Sequence, residues 1–124
     1  MSSLRVLLVE DSRRLAERIS ELIELNENTK VVRTVVDEAS AVAAVQSGEY
    51  DLIVLDLQLE SGSGFGVLEQ LGTDRPPVVV LTNYALPQYE SRARALGAEH
   101  FLDKSRDYER LVDIVGSYRN AAQH

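Results

Sequence analysis

The chain has 124 residues, 44% of them hydrophobic, and a formal charge of -7 at pH 7, which predicts one ordinary globular domain burying roughly two-thirds of its unfolded surface. Lys and Arg are scattered among acids rather than clustered, which argues against direct nucleic-acid binding, and the absence of cysteine excludes disulfides, thiolate chemistry and sulfur-ligated metals. No run approaches the roughly 20 apolar residues of a membrane span, and the opening apolar run is too short for a secretory signal, so the composition predicts a cytoplasmic protein without membrane contact.

Two periodicities alternate along the chain. Leu4 to Val9 reads as an apolar strand, broken by Glu10-Asp11-Ser12. Leu15, Ile19, Leu22 and Ile23 then recur at helical spacing, in a helix capped by Ser12 that ends before Asn26-Glu27-Asn28. Lys30 to Val36 is rich in β-branched residues and predicts the second strand, while Ala39, Val42 and Val45 mark a short second helix stopped at Ser47-Gly48. Leu52 to Leu55 is a continuous apolar run of the kind that suits a strand buried on both faces, and it ends at Asp56. After a loop holding Gly62 and Gly64, the residues Phe65, Leu68 and Leu71 give a third helix ending at Gly72. Pro76-Pro77 introduces a fourth strand, Val78 to Leu81, finishing at Thr82. Tyr89, Ala93 and Leu96 line a helix that opens near Pro87 and closes at Gly97. His100-Phe101-Leu102 is a brief fifth strand, and Leu111, Val112 and Val115 mark a last helix reaching to about Arg119.

Strands alternating with helices in this way predict an α/β fold, a doubly wound parallel sheet of five strands. All strands then point one way, and whatever follows them lies along one edge, where open α/β sheets bind their ligands. On that edge the reading collects Glu10 and Asp11, Asp56, Thr82 and Lys104. Each has an ordinary explanation alone: the first two favour the positive end of a helix, Thr82 is a common strand residue, and Lys104 is a solvated charge. Together they demand more. Carboxylates within a few ångströms repel one another by kilocalories and persist mainly with a cation among them. Oxygen donors without His or Cys point to Mg²⁺, which commonly works beside phosphate oxygens.

With these residues in place, the chain resembles the receiver domain of two-component response regulators over essentially its whole length. The acidic pair Glu10-Asp11, Asp56 ending the third strand, Gly64 eight residues on, Thr82 ending the fourth, and Phe101 three residues before Lys104 match the family pattern in order and spacing. The resemblance implies a (βα)5 flavodoxin-like fold with strand order 2-1-3-4-5. It makes Asp56 the acceptor of a phosphoryl group from a sensor histidine kinase or a histidine phosphotransfer protein, His100 and His124 lying outside the motif pattern. Asp11 becomes a direct Mg²⁺ ligand, Glu10 a ligand acting mainly through water, and Asp56 with the backbone carbonyl of Gln58 the rest of the protein's share. Thr82 and Lys104 become the catalytic groups that neutralise phosphoryl oxygens. Thr82 and Phe101 form a switch that reshapes the face of the fourth helix, fifth strand and fifth helix. On that face Tyr84, Arg92, Arg94, Tyr108 and Tyr118 predict docking of a downstream protein or a second copy of the chain. The only reaction expected is the chain's own phosphorylation and dephosphorylation, not turnover of a substrate.

Several positions depart from the family pattern. Glu10 replaces the commoner Asp and is one methylene longer; Glu60 stands where proline is usual; Ser105 replaces the proline that usually follows the lysine after a cis peptide. A cis bond to a non-proline residue costs about 2.5 to 4 kcal/mol, so a trans Lys104-Ser105 bond with an altered loop is expected. Gln58 and Tyr84 occupy the positions that tune hydrolysis in the family, and the bulk of Tyr84 predicts slow self-dephosphorylation. The few residues beyond the last helix predict that residues 1–124 form a stand-alone receiver without an output domain. Two alternatives stand beside this reading. A phosphorylation-independent interaction module is mildly favoured by Ser105 and Glu60, whereas the intact Asp11, Asp56, Thr82 and Lys104 speak against it. An aspartyl-phosphate hydrolase is disfavoured because Gln58, not an acid, lies two residues after Asp56.

Overall fold

The computed structural model describes residues 3–122, so the expectation for His124 lies outside the described residues. Ten elements alternate: β1 (Leu4–Val9), α1 (Arg13–Ile23), β2 (Thr29–Val35), α2 (Glu38–Ser47), β3 (Leu52–Leu55), α3 (Gly64–Leu71), β4 (Val78–Thr82), α4 (Pro87–Ala95), β5 (His100–Asp103) and α5 (Tyr108–Ala122). The strands form one sheet in the order β2-β1-β3-β4-β5, parallel at every pairing. This is the flavodoxin-like order expected from the resemblance.

Strand side chains alternate between the two faces of the sheet. Leu7, Val9, Ile53, Leu55, Val78 and Val80 pack on one side against Ala41 and Ala44 of α2, Val67 and Leu68 of α3 and Ala93 of α4. Val6, Leu8, Leu52, Val54, Val79 and Leu81 pack on the other against Ile19 and Ile23 of α1 and Leu111 and Val115 of α5. Because both faces are covered, the central strands carry unbroken apolar runs. Each fully buried Leu, Ile or Val contributes about 1.5 to 3 kcal/mol, and this double core fixes the strand ends that carry polar residues.

Helix starts share that edge and are stapled to it. Ser12 Oγ accepts the Leu15 N–H at 3.3 Å, Asp37 Oδ1 accepts the Ser40 N–H at 2.7 Å, and Ser63 Oγ accepts the Gly66 N–H at 3.1 Å. Such caps satisfy donors that a helix's first turn leaves free. Helix α4 has none, beginning instead with Pro87.

Element ends differ from the sequence reading in small ways with clear causes. Strand β2 starts one residue earlier and stops one earlier, because Thr29 pairs with Leu4 while Val36 leaves the sheet. Its register against β1 shifts between Val6 and Leu7, whose partners are Val31 and Arg33, so Val32 is the extra residue of a bulge. Strand β3 stops at Leu55; Asp56 follows, although its N–H still donates to the Val9 carbonyl at 3.0 Å. Helix α5 continues to Ala122, past the expected Arg119. Among the described residues there is no cis peptide, so the Lys104-Ser105 bond is trans as expected.

Candidate functional site

The five residues that the sequence places on one rim are brought together there, and four of them are buried: Glu10, Asp56, Thr82 and Lys104, with Asp11 exposed. Lys104 sits one residue past β5, and its N–H donates to the Thr82 carbonyl at 3.0 Å, which ties the loop to the end of β4. From that anchor its side chain runs inward. Nζ donates to Asp56 Oδ2 at 2.8 Å and to Glu10 Oε1 at 2.5 Å. Asp56 Oδ1 accepts the Gln58 N–H at 3.2 Å, and Glu10 Oε2 accepts the Ser12 N–H at 3.0 Å.

Charge governs the pocket. Burial pushes the Glu10 carboxyl above its usual range, outweighing the hydrogen bonds from Lys104 and Ser12 that oppose it. For Lys104, burial works against the charge, yet hydrogen bonds to Asp56 and Glu10 together overcome it and hold the ammonium above its ordinary value. The site therefore holds one firmly charged cation among three acids. Carboxylate oxygens of Glu10, Asp11 and Asp56 all lie within 4.8 Å of one another. This all-oxygen donor set fits a hard divalent ion such as Mg²⁺, and it lacks the His and Cys that softer metals prefer.

Gly64 explains why the loop after Asp56 can close so tightly. A Cβ there would fall onto the Asp56 carbonyl oxygen and lie 2.8 Å from the Leu57 Cα, so backbone crowding excludes any side chain. The Gly64 N–H also donates to the Leu57 carbonyl at 3.0 Å. Thr82 is fully buried, and its hydroxyl accepts the Tyr84 N–H at 3.2 Å. Tyr84 itself is 46% exposed, beside the rim and not under it. Gln58 is exposed and pairs with Ser63 across the loop. Phe101 is buried, its face turned to the α2, α3 and α4 side of the sheet.

Two expected surface anchors face elsewhere. The Arg92 guanidinium stacks 4.2 Å from the Phe65 ring and pairs with Glu69 at 2.9 Å, so it binds α4 to α3. Tyr108 packs with the α1 and α5 core, with Arg18 of α1 at 6.0 Å from its ring centre. Helix rotation decides such facing, and spacing alone did not give it. Of the five, Tyr84 is exposed beside the rim, Arg94 stays on the α4 and β5 side, bonding Glu90 at 2.9 Å and the Glu99 carbonyl at 3.3 Å, and the Tyr118 hydroxyl lies 3.2 Å from His100 Nε2.

Sequence reasoning missed two groups of residues that shape the loops. In the first, Ser105 donates through both its N–H and its hydroxyl to Asp103 Oδ1, at 2.7 and 2.6 Å, while the Asp103 N–H donates to Asp107 Oδ2 at 2.8 Å. The Asp103-x-Ser105 and Asp103…Asp107 spacings are the signal for such side-chain turns. In the second, Glu38 of α2 accepts the Ser63 N–H at 2.9 Å and the Gln70 side chain at 2.5 Å, binding the loop after Asp56 to its neighbour.

Comparison with known proteins agrees with this geometry. The response regulator receiver domain model matches residues 6–116, and the chain belongs to that family. It is 36% identical over 115 residues to the transcriptional regulatory protein TcrA of Mycobacterium tuberculosis, covering 90% of this chain and 44% of that protein. To the uncharacterized transcriptional regulatory protein YvfU of Bacillus subtilis it is 29% identical over 114 residues, covering 90% and 57%. The Mn(2+)-bound form of response regulator Rcp1 has the same fold, with a TM-score of 0.75 at 27% identity over 91% of this chain and 89% of that one. The chain spans about half the length of the curated relatives it matches. Among the described residues, no helix is long and apolar enough to cross a membrane.

Proposed function

We propose that this receiver accepts a phosphoryl group on Asp56 from a histidine kinase or a histidine phosphotransfer protein, in a reaction that depends on Mg²⁺. The observation that carries the reading is one ammonium, Lys104 Nζ, at 2.8 Å from the Asp56 carboxylate, within a cluster of three acids whose oxygens lie within 4.8 Å. An Asp56 oxygen forms a bond to phosphorus as the bond from phosphorus to the partner's histidine nitrogen breaks, the electron pair returning to the imidazole. The transition state is loose, and its charge lies on the peripheral oxygens, so the surrounding groups act by neutralising it. Lys104 takes one oxygen. The Thr82 hydroxyl, which keeps its own proton to donate while it accepts from Tyr84, takes another. Asp11, Asp56 and the Gln58 carbonyl would hold the cation, with Glu10 near it; when bound it supplies positive charge to the remaining oxygen and offsets repulsion between the acids.

Signalling follows from what those groups touch. Thr82 moves toward the new phosphoryl group, and Phe101 fills the space behind it. Helix α4 is the element suited to shift, since Ala93 is its one fully buried residue. The reshaped α4, β5 and α5 face then binds a downstream protein or a second copy of the chain. Residues 1–124 act in this reading as one receiver unit, and the bulk of Tyr84 slows loss of the phosphoryl group.

The test is intact-mass measurement after incubation with acetyl phosphate. The wild type gains one phosphoryl group with Mg²⁺ and none after chelation, and Asp56→Asn gains none while keeping its melting temperature within a few degrees. A phosphoryl group on the asparagine variant overturns the assignment.

A further inference from the structure

Lys104 is held at both ends of its side chain. At its backbone, the N–H is bound to Thr82, and the Asp103 to Ser105 turn fixes the loop. At its tip, Nζ is shared between Glu10 at 2.5 Å and Asp56 at 2.8 Å. Glu10 is in turn engaged through its second oxygen by the Ser12 N–H, the cap residue of α1. Both Glu10 oxygens are thus committed to the protein. Asp11 contrasts with it: exposed, with no hydrogen bond to its carboxylate among the described residues.

The two partners of Lys104 differ in what phosphorylation does to them. Phosphorylation turns the Asp56 carboxylate into an acyl phosphate, so the carboxylate that holds the ammonium is lost and the negative charge moves out to the phosphoryl oxygens, whereas the Glu10 carboxyl is chemically unchanged. An aspartate at position 10 would end one carbon-carbon bond short and could not span from the Ser12 N–H to Nζ. We propose that Glu10 is a positioning residue for Lys104: its extra methylene carries a carboxylate across the pocket and keeps the ammonium aimed where phosphoryl oxygens arrive, while Asp11 supplies the direct share of cation binding. The proposal rests on the reading of Asp56 as phosphoacceptor. It also supplies what the trans Lys104-Ser105 bond leaves open, a restraint on the direction of the lysine from its tip. A charge-assisted hydrogen bond shielded from water is strong and directional, so the restraint depends on direct contact and not on charge alone.

Glu10→Asp keeps the charge and breaks the contact; Asp11→Asn does the reverse. In the cation-free protein, the side-chain ammonium signal of ¹⁵N-labelled Lys104, slowed in exchange by burial, is expected to vanish or shift in Glu10→Asp and to persist in Asp11→Asn. Mn²⁺ affinity, read by electron paramagnetic resonance, is expected to stay within threefold of wild type in Glu10→Asp and to fall at least tenfold in Asp11→Asn. With acetyl phosphate at saturating Mg²⁺, the maximal phosphorylation rate of Glu10→Asp is expected to fall about tenfold, with half-saturating Mg²⁺ little changed. An unaltered Lys104 signal in Glu10→Asp overturns the proposal. So does a tenfold loss of Mn²⁺ affinity with full recovery of rate at saturating Mg²⁺. A wild type that takes up no phosphoryl group overturns the Asp56 reading instead, and the first two measurements still decide the role of Glu10.

Discussion

Gly64 is the smallest residue with a demanding position at this site. Its missing Cβ is the space in which the Asp56 carbonyl and Leu57 Cα sit; both belong to the backbone and cannot rotate away as a side chain would. Gly64→Ala therefore forces the loop off Asp56 and shifts the Gln58 N–H that its carboxylate accepts. Overpacking of this kind costs about 1 to 3 kcal/mol. The expected result is a lower denaturation midpoint together with a phosphorylation rate reduced at least tenfold, measured on the same sample. A variant that loses stability but keeps its rate would show that loop closure and acceptor geometry are independent. Gly64 stood out in the sequence as a glycine eight residues after Asp56, but what its missing Cβ makes room for is visible only in the fold. The grip of Glu10 on Lys104 was not readable, since the two lie 94 positions apart and only the folded sheet ends bring them within a hydrogen bond.

At the scale of elements, the central strands were readable because they are buried on both sides and so are written as unbroken apolar runs, as in Ile53, Val54 and Leu55. Strand β2 lies at the sheet edge and is half polar, and its bulge at Val32 left no sequence mark. Helix starts were readable where a capping side chain stands, as at Ser12, and helix facing was not, as with Arg92 and Tyr108. Helix α2 offers a test of the capping logic. Hydrogen bonds from the Ser40 N–H and Ser40 side chain hold the Asp37 carboxyl below its usual range. A folded-state pKa below the unfolded value means stability that is fully present above the unfolded pKa and is lost as pH falls through the folded one. Asp37→Ala is thus expected to unfold at lower urea concentration than wild type at pH 7. The gap between the two midpoints should narrow as pH falls below about 3.8, the ordinary aspartate value. A gap that stays constant with pH would assign the cost to packing and not to the charged cap.

For the whole molecule, the site is a place where folding energy is spent on repulsion. A chain of net charge -7 brings three carboxylates together and offers them one ammonium. The raised Glu10 pKa is one sign of that cost: stability from this group is greatest while it is protonated and declines as pH rises from the usual carboxylate value through its folded one. A divalent cation that binds the folded rim, and not the unfolded chain, returns the loss by mass action, about 2.7 kcal/mol at a hundred times its dissociation constant. For a domain of this size that amounts to a rise in melting temperature of roughly 10 °C. The rise has a definite sign with pH. It should be full near pH 8 and shrink in acid, because a protonated carboxyl no longer offers a ligand. Chelation at pH 8 should return the melting temperature to its cation-free value, and Asp11→Asn should lose most of the rise. Calorimetric scans with and without Mg²⁺ across this pH range decide it: an equal rise at pH 4 and pH 8 would mean that the ion acts elsewhere on the acidic surface and not among Glu10, Asp11 and Asp56.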